Sequence, residues 1–208
     1  MSLFIVFEGP EGSGKSTQSH LLSQNLERSG IINQIVREPG STQTGEKVRN
    51  WLITGSDMSP LTELFLFSAA RSELVESTIR PALKSGEVVI CDRYFYSTLA
   101  YQGYGRGLSQ SIIETTNHVA TSGLYPDLVI LLDLPSTQGL ERIQGGNTED
   151  RFENADLIFH EKVRDGYADI ANRDPDRWLV LDASKPAEQI SSNICTHVLN
   201  LMQNRSQD

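Results

Sequence analysis

The sequence has 208 residues, 38% of them hydrophobic and 22% charged, with a formal net charge of −9. That is enough apolar chain for one globular domain over 1–208 with a continuous core. The acidic balance argues against a broad electropositive face for polymeric nucleic acid or a membrane surface, so an anionic ligand has to be held by a few placed cations.

The chain opens on an apolar run, Leu3-Phe4-Ile5-Val6-Phe7, that ends at Glu8 with no basic residue before it. This predicts a buried strand over 3–7, and neither a secretory leader nor a membrane span. Directly after it, Gly9-Pro10-Glu11-Gly12-Ser13-Gly14-Lys15-Ser16-Thr17 fills the pattern G-x-x-x-x-G-K-[ST]. Gly9, Gly12 and Gly14 let the loop curl its backbone N–H groups around phosphate, at the start of a helix over 15–28 marked by Leu21, Leu22 and Leu26. Lys15 is then placed to neutralise the β- and γ-phosphates of a nucleoside triphosphate and Ser16 to offer a hydroxyl to Mg2+, with Pro10, Glu11, Ser13 and Thr17 in the same site. A glycine-rich turn with a surface lysine would also fill the bare pattern, but the strand before it and the helix after it favour the phosphate cradle. The chain carries neither D-x-x-G nor N/T-K-x-D, which disfavours a GTP switch.

A second strand is predicted over 33–38, running into Glu38-Pro39-Gly40 and a helix that carries Arg49. Helical spacing follows over 61–79, a strand over 87–92 and a helix over 109–119. A strand over 127–133, a helix over 155–170, a strand over 177–182 and a helix over 186–202 complete the chain. Apolar runs without alternation suit strands buried on both faces. Their alternation with helices predicts an α/β fold, a doubly wound parallel five-stranded sheet covered on both faces as in the P-loop NTPases. Ligands gather at the carboxyl ends of such strands, where Glu8, Glu38, Asp92 and Asp133 fall; Asp133 reads as a structural acid. Cys91 and Cys195 sit in apolar contexts and read as reduced core thiols, which suits the cytoplasm. His20, His118, His160 and His197 lack metal-ligand spacing.

The stretch Asp92-Arg93-Tyr94-Phe95-Tyr96-Ser97-Thr98-Leu99-Ala100-Tyr101-Gln102 puts an acid and an arginine at a strand end facing the P-loop. Asp92 can join a magnesium shell there and Arg93 can pair with phosphate. The stretch resembles the signature of the thymidylate kinases. Glu38-Pro39-Gly40, with Ser41 where that family has a second glycine, is similar to another of its segments. Leu66-Phe67-Ser68-Ala69-Ala70-Arg71, Tyr101-Gln102-Gly103 and Tyr125-Pro126-Asp127 follow in the family's order, and the likeness runs from Phe4 to about Ala187.

The resemblance implies transfer of the γ-phosphate of ATP to dTMP with Mg2+, in a homodimer joined through the helices around 61–79. It implies Arg49 and Arg93 on the acceptor phosphate, where two guanidinium forks match phosphate oxygens. Phe67 would stack on thymine while Arg71, one turn later on the same face, donates to a base carbonyl. Ser97 or Thr98 and Gln102 would meet the base edge, Tyr101 the sugar and Glu11 its 3′-hydroxyl. Glu38 or Asp92 would order magnesium-bound water, with no obligate side-chain base.

Between the fourth strand and the helix at 155, Gly139 to Glu153 with the pair Gly145-Gly146 reads as a flexible loop, and 142–155 resembles the family's lid over ATP. No basic residue lies between Gly9 and Lys15, so the resemblance assigns the transferring phosphoryl group to a lid arginine, Arg151. Arg142 then stacks on adenine or touches the donor phosphates. The segment around Ala183, after the last strand, would bracket adenine through its backbone. Two other readings stay open here: a kinase of another nucleoside or nucleoside monophosphate, and a nucleotide-binding regulator that transfers nothing.

Overall fold

The computed structural model describes residues 2–55, 57–143 and 151–205. Five strands, β1 (Leu3–Glu8), β2 (Asn33–Arg37), β3 (Val88–Asp92), β4 (Leu128–Asp133) and β5 (Trp178–Asp182), form one sheet in the order β2-β3-β1-β4-β5. Every pairing is parallel. The central strands β1, β3 and β4 have no polar face because both of their faces are covered. Leu3, Ile5 and Phe7 point to one side with Leu22 and Leu26 of α1 (Lys15–Arg28) and Ile190, Ile194 and Val198 of α9 (Ala187–Arg205). Phe4 and Val6 point to the other, against α2 (Gln43–Thr54), α3 (Pro60–Leu74), α6 (Gln110–Thr121) and α8 (Leu157–Arg173). Each such apolar side chain contributes about 1.5–3 kcal/mol on burial.

The starts of α2, α3 and α8 are set by side chains that satisfy orphan N–H groups. Thr42 Oγ1 accepts from Gly45 N at 2.8 Å, and Asp156 Oδ1 accepts from Phe159 N at 2.7 Å. Ser59 Oγ accepts from Thr62 N at 3.2 Å, with Pro60 in the first turn. The helix expected over 61–79 is α3 followed by a π-helical turn at Val75–Ile79 and a short α4 (Arg80–Lys84). Pro81 accounts for the widening, since it lacks an N–H and its ring crowds the carbonyl four residues earlier. A four-residue α5 (Phe95–Thr98) runs into a second π-helical stretch, Leu99–Gly105.

Two expectations change. The stretch from Gly139 was expected to be a loop, but 139–143 closes a helix, α7 (Ser136–Ile143). Its glycine serves close approach rather than flexibility: a Cβ on Gly139 would stand 2.3 Å from Glu11 O, and one on Gly12 2.2 Å from Gly139 O. The P-loop and α7 thus pack backbone to backbone, which only glycine permits. Gly145 and Gly146 lie outside the described residues. Cys91 is buried as expected, whereas Cys195 is only half-buried; neither is in a disulfide. Among the described residues no helix is long and apolar enough to cross a membrane.

Candidate active site

Register brings the strand-end acids together. Phe7 of β1 lies beside Asp92 of β3, and Arg37 of β2 lies beside the same residue, so Glu8, Glu38 and Asp92 emerge at one edge of the sheet. There the P-loop turns through positive φ at Gly9 (144°), Gly12 (68°) and Gly14 (89°) into α1. Lys15, only 7% exposed, folds back over the loop, its Nζ donating to Gly9 O at 3.0 Å, Pro10 O at 2.7 Å and Ser13 Oγ at 3.3 Å. Burial beside the Arg93 cation lowers its pKa to about 8. Ser16 Oγ donates to Asp92 Oδ2 at 2.6 Å. Arg142 on α7 reaches Gly12 O at 3.3 Å and Ala183 O at 3.1 Å, tying the loop to the segment after β5. Gly12, Gly14, Lys15, Ser16, Thr17, Asp92 and Arg142 line one cleft of about 360 Å³.

A second cleft of about 140 Å³ opens beside it, and Glu11, Glu38, Arg49 and Arg93 line both. Arg93 adopts φ 69°, a backbone cost for a non-glycine residue that its contacts offset. Its Nη2 donates to Glu11 Oε1 at 2.8 Å and Tyr101 OH at 3.1 Å, and its Nη1 to Gly9 O at 3.0 Å and Tyr167 OH at 3.1 Å. Burial alone would raise Glu11, but Arg93, Lys15 and the Tyr101 hydroxyl outweigh it and hold the carboxyl at about 2. Arg49 Nη1 donates to Pro39 O at 3.3 Å.

Behind this junction Glu8 is fully buried. It accepts from Tyr94 N at 2.9 Å, Ser97 N at 3.2 Å, Ser97 Oγ at 2.6 Å and Tyr167 OH at 2.9 Å. Burial nevertheless raises its pKa from 4.5 to about 7. Because the folded state binds this proton more tightly than the unfolded chain, stability is highest below pH 4.5 for this group and falls as pH rises toward 7. The loss amounts to about 3 kcal/mol. Glu8→Gln, whose amide can face the two hydroxyls, should remove that slope; denaturant titrations from pH 5 to 7 check it, and a slope equal to wild type would rule it out.

The second cleft is lined by Phe67, Arg71, Ser97, Thr98, Tyr101 and Gln102, all expected from sequence, with Phe152 and Glu153. Arg71 is fully buried; Nε and Nη2 reach Glu38 Oε1 at 2.6 and 2.5 Å, Nη2 reaches Thr98 Oγ1 at 2.6 Å and Nη1 reaches Asn117 Oδ1 at 2.5 Å. Phe152 packs 5.9 Å from Phe67 and 6.1 Å from Tyr101, ring to ring. The sequence reading missed Phe152 as a wall, Glu8 and Tyr167 as supports of Arg93, and Glu63. For Glu63 a signal was present: it precedes Phe67 and Arg71 by four and eight residues, on the same helix face.

Arg151 was expected at the transferring phosphoryl group; in the structure its Nη1 donates to Glu63 Oε1 at 2.7 Å and its Nε to Leu52 O. The burial of Phe152 accounts for this: with that ring held between Phe67 and Tyr101, the neighbouring guanidinium is directed to the acceptor side, 4.6 Å over the Phe152 ring. Asp133, as expected, is structural, paired with Arg164 at 2.7 Å.

A family model described as thymidylate kinase matches residues 7–194. A thymidylate kinase of Thermomicrobium roseum is 47% identical over 203 residues, 97% of each chain. One from Deinococcus radiodurans is 46% identical over 193 residues, 92% of this chain and 94% of that one. The crystal structure of thymidylate kinase from Ehrlichia chaffeensis superposes with a TM-score of 0.74 at 35% identity, over 97% of this chain and 98% of the other.

Proposed function

The chain belongs to the thymidylate kinase family, and from that premise we propose how its two clefts share the transfer of the γ-phosphate of ATP to dTMP. The observation that carries the proposal is the wall common to both clefts, where Glu11, Glu38, Arg49 and Arg93 face each side. The P-loop cleft takes the triphosphate, cradled by backbone N–H groups and Lys15, with adenine bracketed near Ala183 and Arg142 over the donor phosphates. The smaller cleft takes dTMP. Its phosphate meets Arg49 and Arg93, its sugar Tyr101 and Glu11, and its base Phe67, Arg71, Ser97 or Thr98, and Gln102.

Donor and acceptor thus meet at two guanidiniums. Alignment and positive charge on the transferring group supply most of the catalysis, and no side-chain base is required. A hydroxyl and a carboxylate in contact, Ser16 and Asp92, are the hard oxygen donors that suit Mg2+ when the rest of its shell comes from phosphate and water. When bound, that ion neutralises charge on the β- and γ-phosphate oxygens. Glu38 lies close enough to the acid edge to order a water of its shell, though its pairing with Arg71 favours a structural task.

The remaining assignments rest on family likeness and composition. The whole of 1–208 acts as one kinase domain with 142–155 as its lid, in the cytoplasm, where Cys91 and Cys195 stay reduced. Two copies associate through α3, whose Leu61 and Phe65 are 41% and 56% exposed; light scattering tests this.

ADP release with ATP plus dTMP, dUMP, dCMP, UMP, AMP or thymidine is the deciding assay. Transfer to dTMP far above the others supports the proposal, while preference for another acceptor, or none, rejects it. The lid arginines divide by substrate. Arg142→Ala should raise KM for ATP by about tenfold and leave that for dTMP little changed; Arg151→Ala should raise KM for dTMP by a similar factor. Steady-state kinetics checks the pair, and a fall in kcat alone for Arg151→Ala would assign it to the transition state instead.

A further inference from the structure

We infer that Glu63, which does not line either cleft, is a positioning residue that sets acceptor selectivity by orienting Gln102. Glu63 stands in the first turn of α3 and is 1% exposed. Its Oε1 accepts from Arg151 Nη1 at 2.7 Å and lies 3.5 Å from Arg106 Nη2, and its Oε2 accepts from Gln102 Nε2 at 2.8 Å. A buried carboxylate is costly unless paired and hydrogen-bonded, and these partners from the π-helical stretch, its flank and the lid end meet that need.

The orientation of Gln102 follows from donor chemistry. A glutamine amide has a donor end and an acceptor end that exchange places by a half-turn, and only hydrogen-bond partners choose between them. A carboxylate flanked by two guanidiniums accepts and does not donate, so the end of Gln102 that meets Glu63 is the NH2. Gln102 itself lines the acceptor cleft, which leaves its carbonyl oxygen to face a ligand there.

An acceptor in that position discriminates between pyrimidines. Thymine and uracil carry a hydrogen on N3 and can donate to it, whereas cytosine carries a bare N3 and would set acceptor against acceptor. The mismatch leaves a buried carbonyl unsatisfied, the kind of penalty on which hydrogen-bonding sites build specificity. The methyl group that separates thymine from uracil is outside the reach of this device. The inference rests on the reading of the smaller cleft as the dTMP site.

The test is kcat/KM for dTMP and dCMP, at saturating ATP, in wild type, Glu63→Gln and Arg106→Met. In Glu63→Gln a neutral amide can offer either end to Gln102, so the dTMP-over-dCMP preference should fall by about tenfold. KM for ATP should stay within about twofold. Arg106→Met removes a cation from Glu63 but not the Gln102 contact, and should keep the wild-type preference. Wild-type preference retained in Glu63→Gln, or equal loss in both variants, overturns the inference and makes Glu63 architectural. A wild type that does not prefer dTMP to dCMP overturns the acceptor reading itself, and this inference with it. Should Glu63→Gln fail to fold, the Gln102 side-chain NH2 resonance decides, assigned by its loss in Gln102→Met. In the wild type it should be protected from exchange with and without dTMP, and free exchange in either state overturns the inference.

Discussion

Lys15→Ala should lower kcat by about a thousandfold or more while the protein stays folded. The size follows from where the ammonium sits. It is buried under the P-loop, 2.7 Å from Pro10 O and 3.0 Å from Gly9 O, in the cleft that Ser16 and Asp92 also line. A cation placed there acts on phosphate charge with little water to screen it, and no other basic residue lies between Gly9 and Lys15 to replace it. The apolar core does not depend on Lys15, so melting should move by only a few degrees, about 2–4 °C per kcal/mol for a chain of this size. The same burial gives a pH signature in the wild type. Because Lys15 titrates near 8 before nucleotide binds, KM for ATP should climb as pH rises through 8. Near-normal turnover of Lys15→Ala at saturating magnesium-ATP would reject the P-loop assignment.

Arg93→Ala is expected to have the second largest effect. Loss of charge-assisted bonds to the acceptor phosphate should weaken dTMP by roughly a hundredfold. ATP should be affected far less. The substitution also removes the partner that holds Glu11 at about 2 and leaves Tyr101 and Tyr167 without their shared donor. Breaking a buried pair costs about 3–5 kcal/mol, and the lower end applies because the Arg93 and Glu11 side chains are 17% and 21% exposed. Arg49→Ala should show the same effect on dTMP, since Arg49 lines the acceptor cleft beside Arg93. Calorimetric titration of each nucleotide separates binding from folding. Equal losses for ATP and dTMP would reassign Arg93 to the architecture.

Glu8 shows why a supporting group escaped a reading of the sequence while the ligand-facing ones did not. Phe67 and Arg71 are four residues apart, so helix geometry alone puts them on one face. Lys15 and Ser16 belong to a loop whose spacing is itself the mechanism. Glu8, by contrast, is a strand-end acid like Glu38 and Asp92, and nothing local distinguishes it. Its meaning lies in Ser97, 89 residues away, and Tyr167, 159 residues away. Gly139 misled for a related reason, since a glycine needed for close packing has the same local signature as one in a flexible loop.

Strand positions, the alternation with helices, the P-loop and the gathering of acids at strand ends were determined by the sequence itself, because each depends on spacings of a few residues that backbone geometry converts directly into position. Tertiary structure alone decided the strand order β2-β3-β1-β4-β5, the docking of α7 on the P-loop and the partner of Arg151. It also decided which buried carboxylate holds which substrate-facing side chain. Those contacts join residues from 33 to 159 positions apart, as in Arg71 with Glu38 and Tyr167 with Glu8. The physical reason is that a charged or amide side chain can pair with any group the folded chain brings within about 3 Å. Local spacing restricts that choice over one or two turns and no further, and beyond it the path of the whole chain selects the partner.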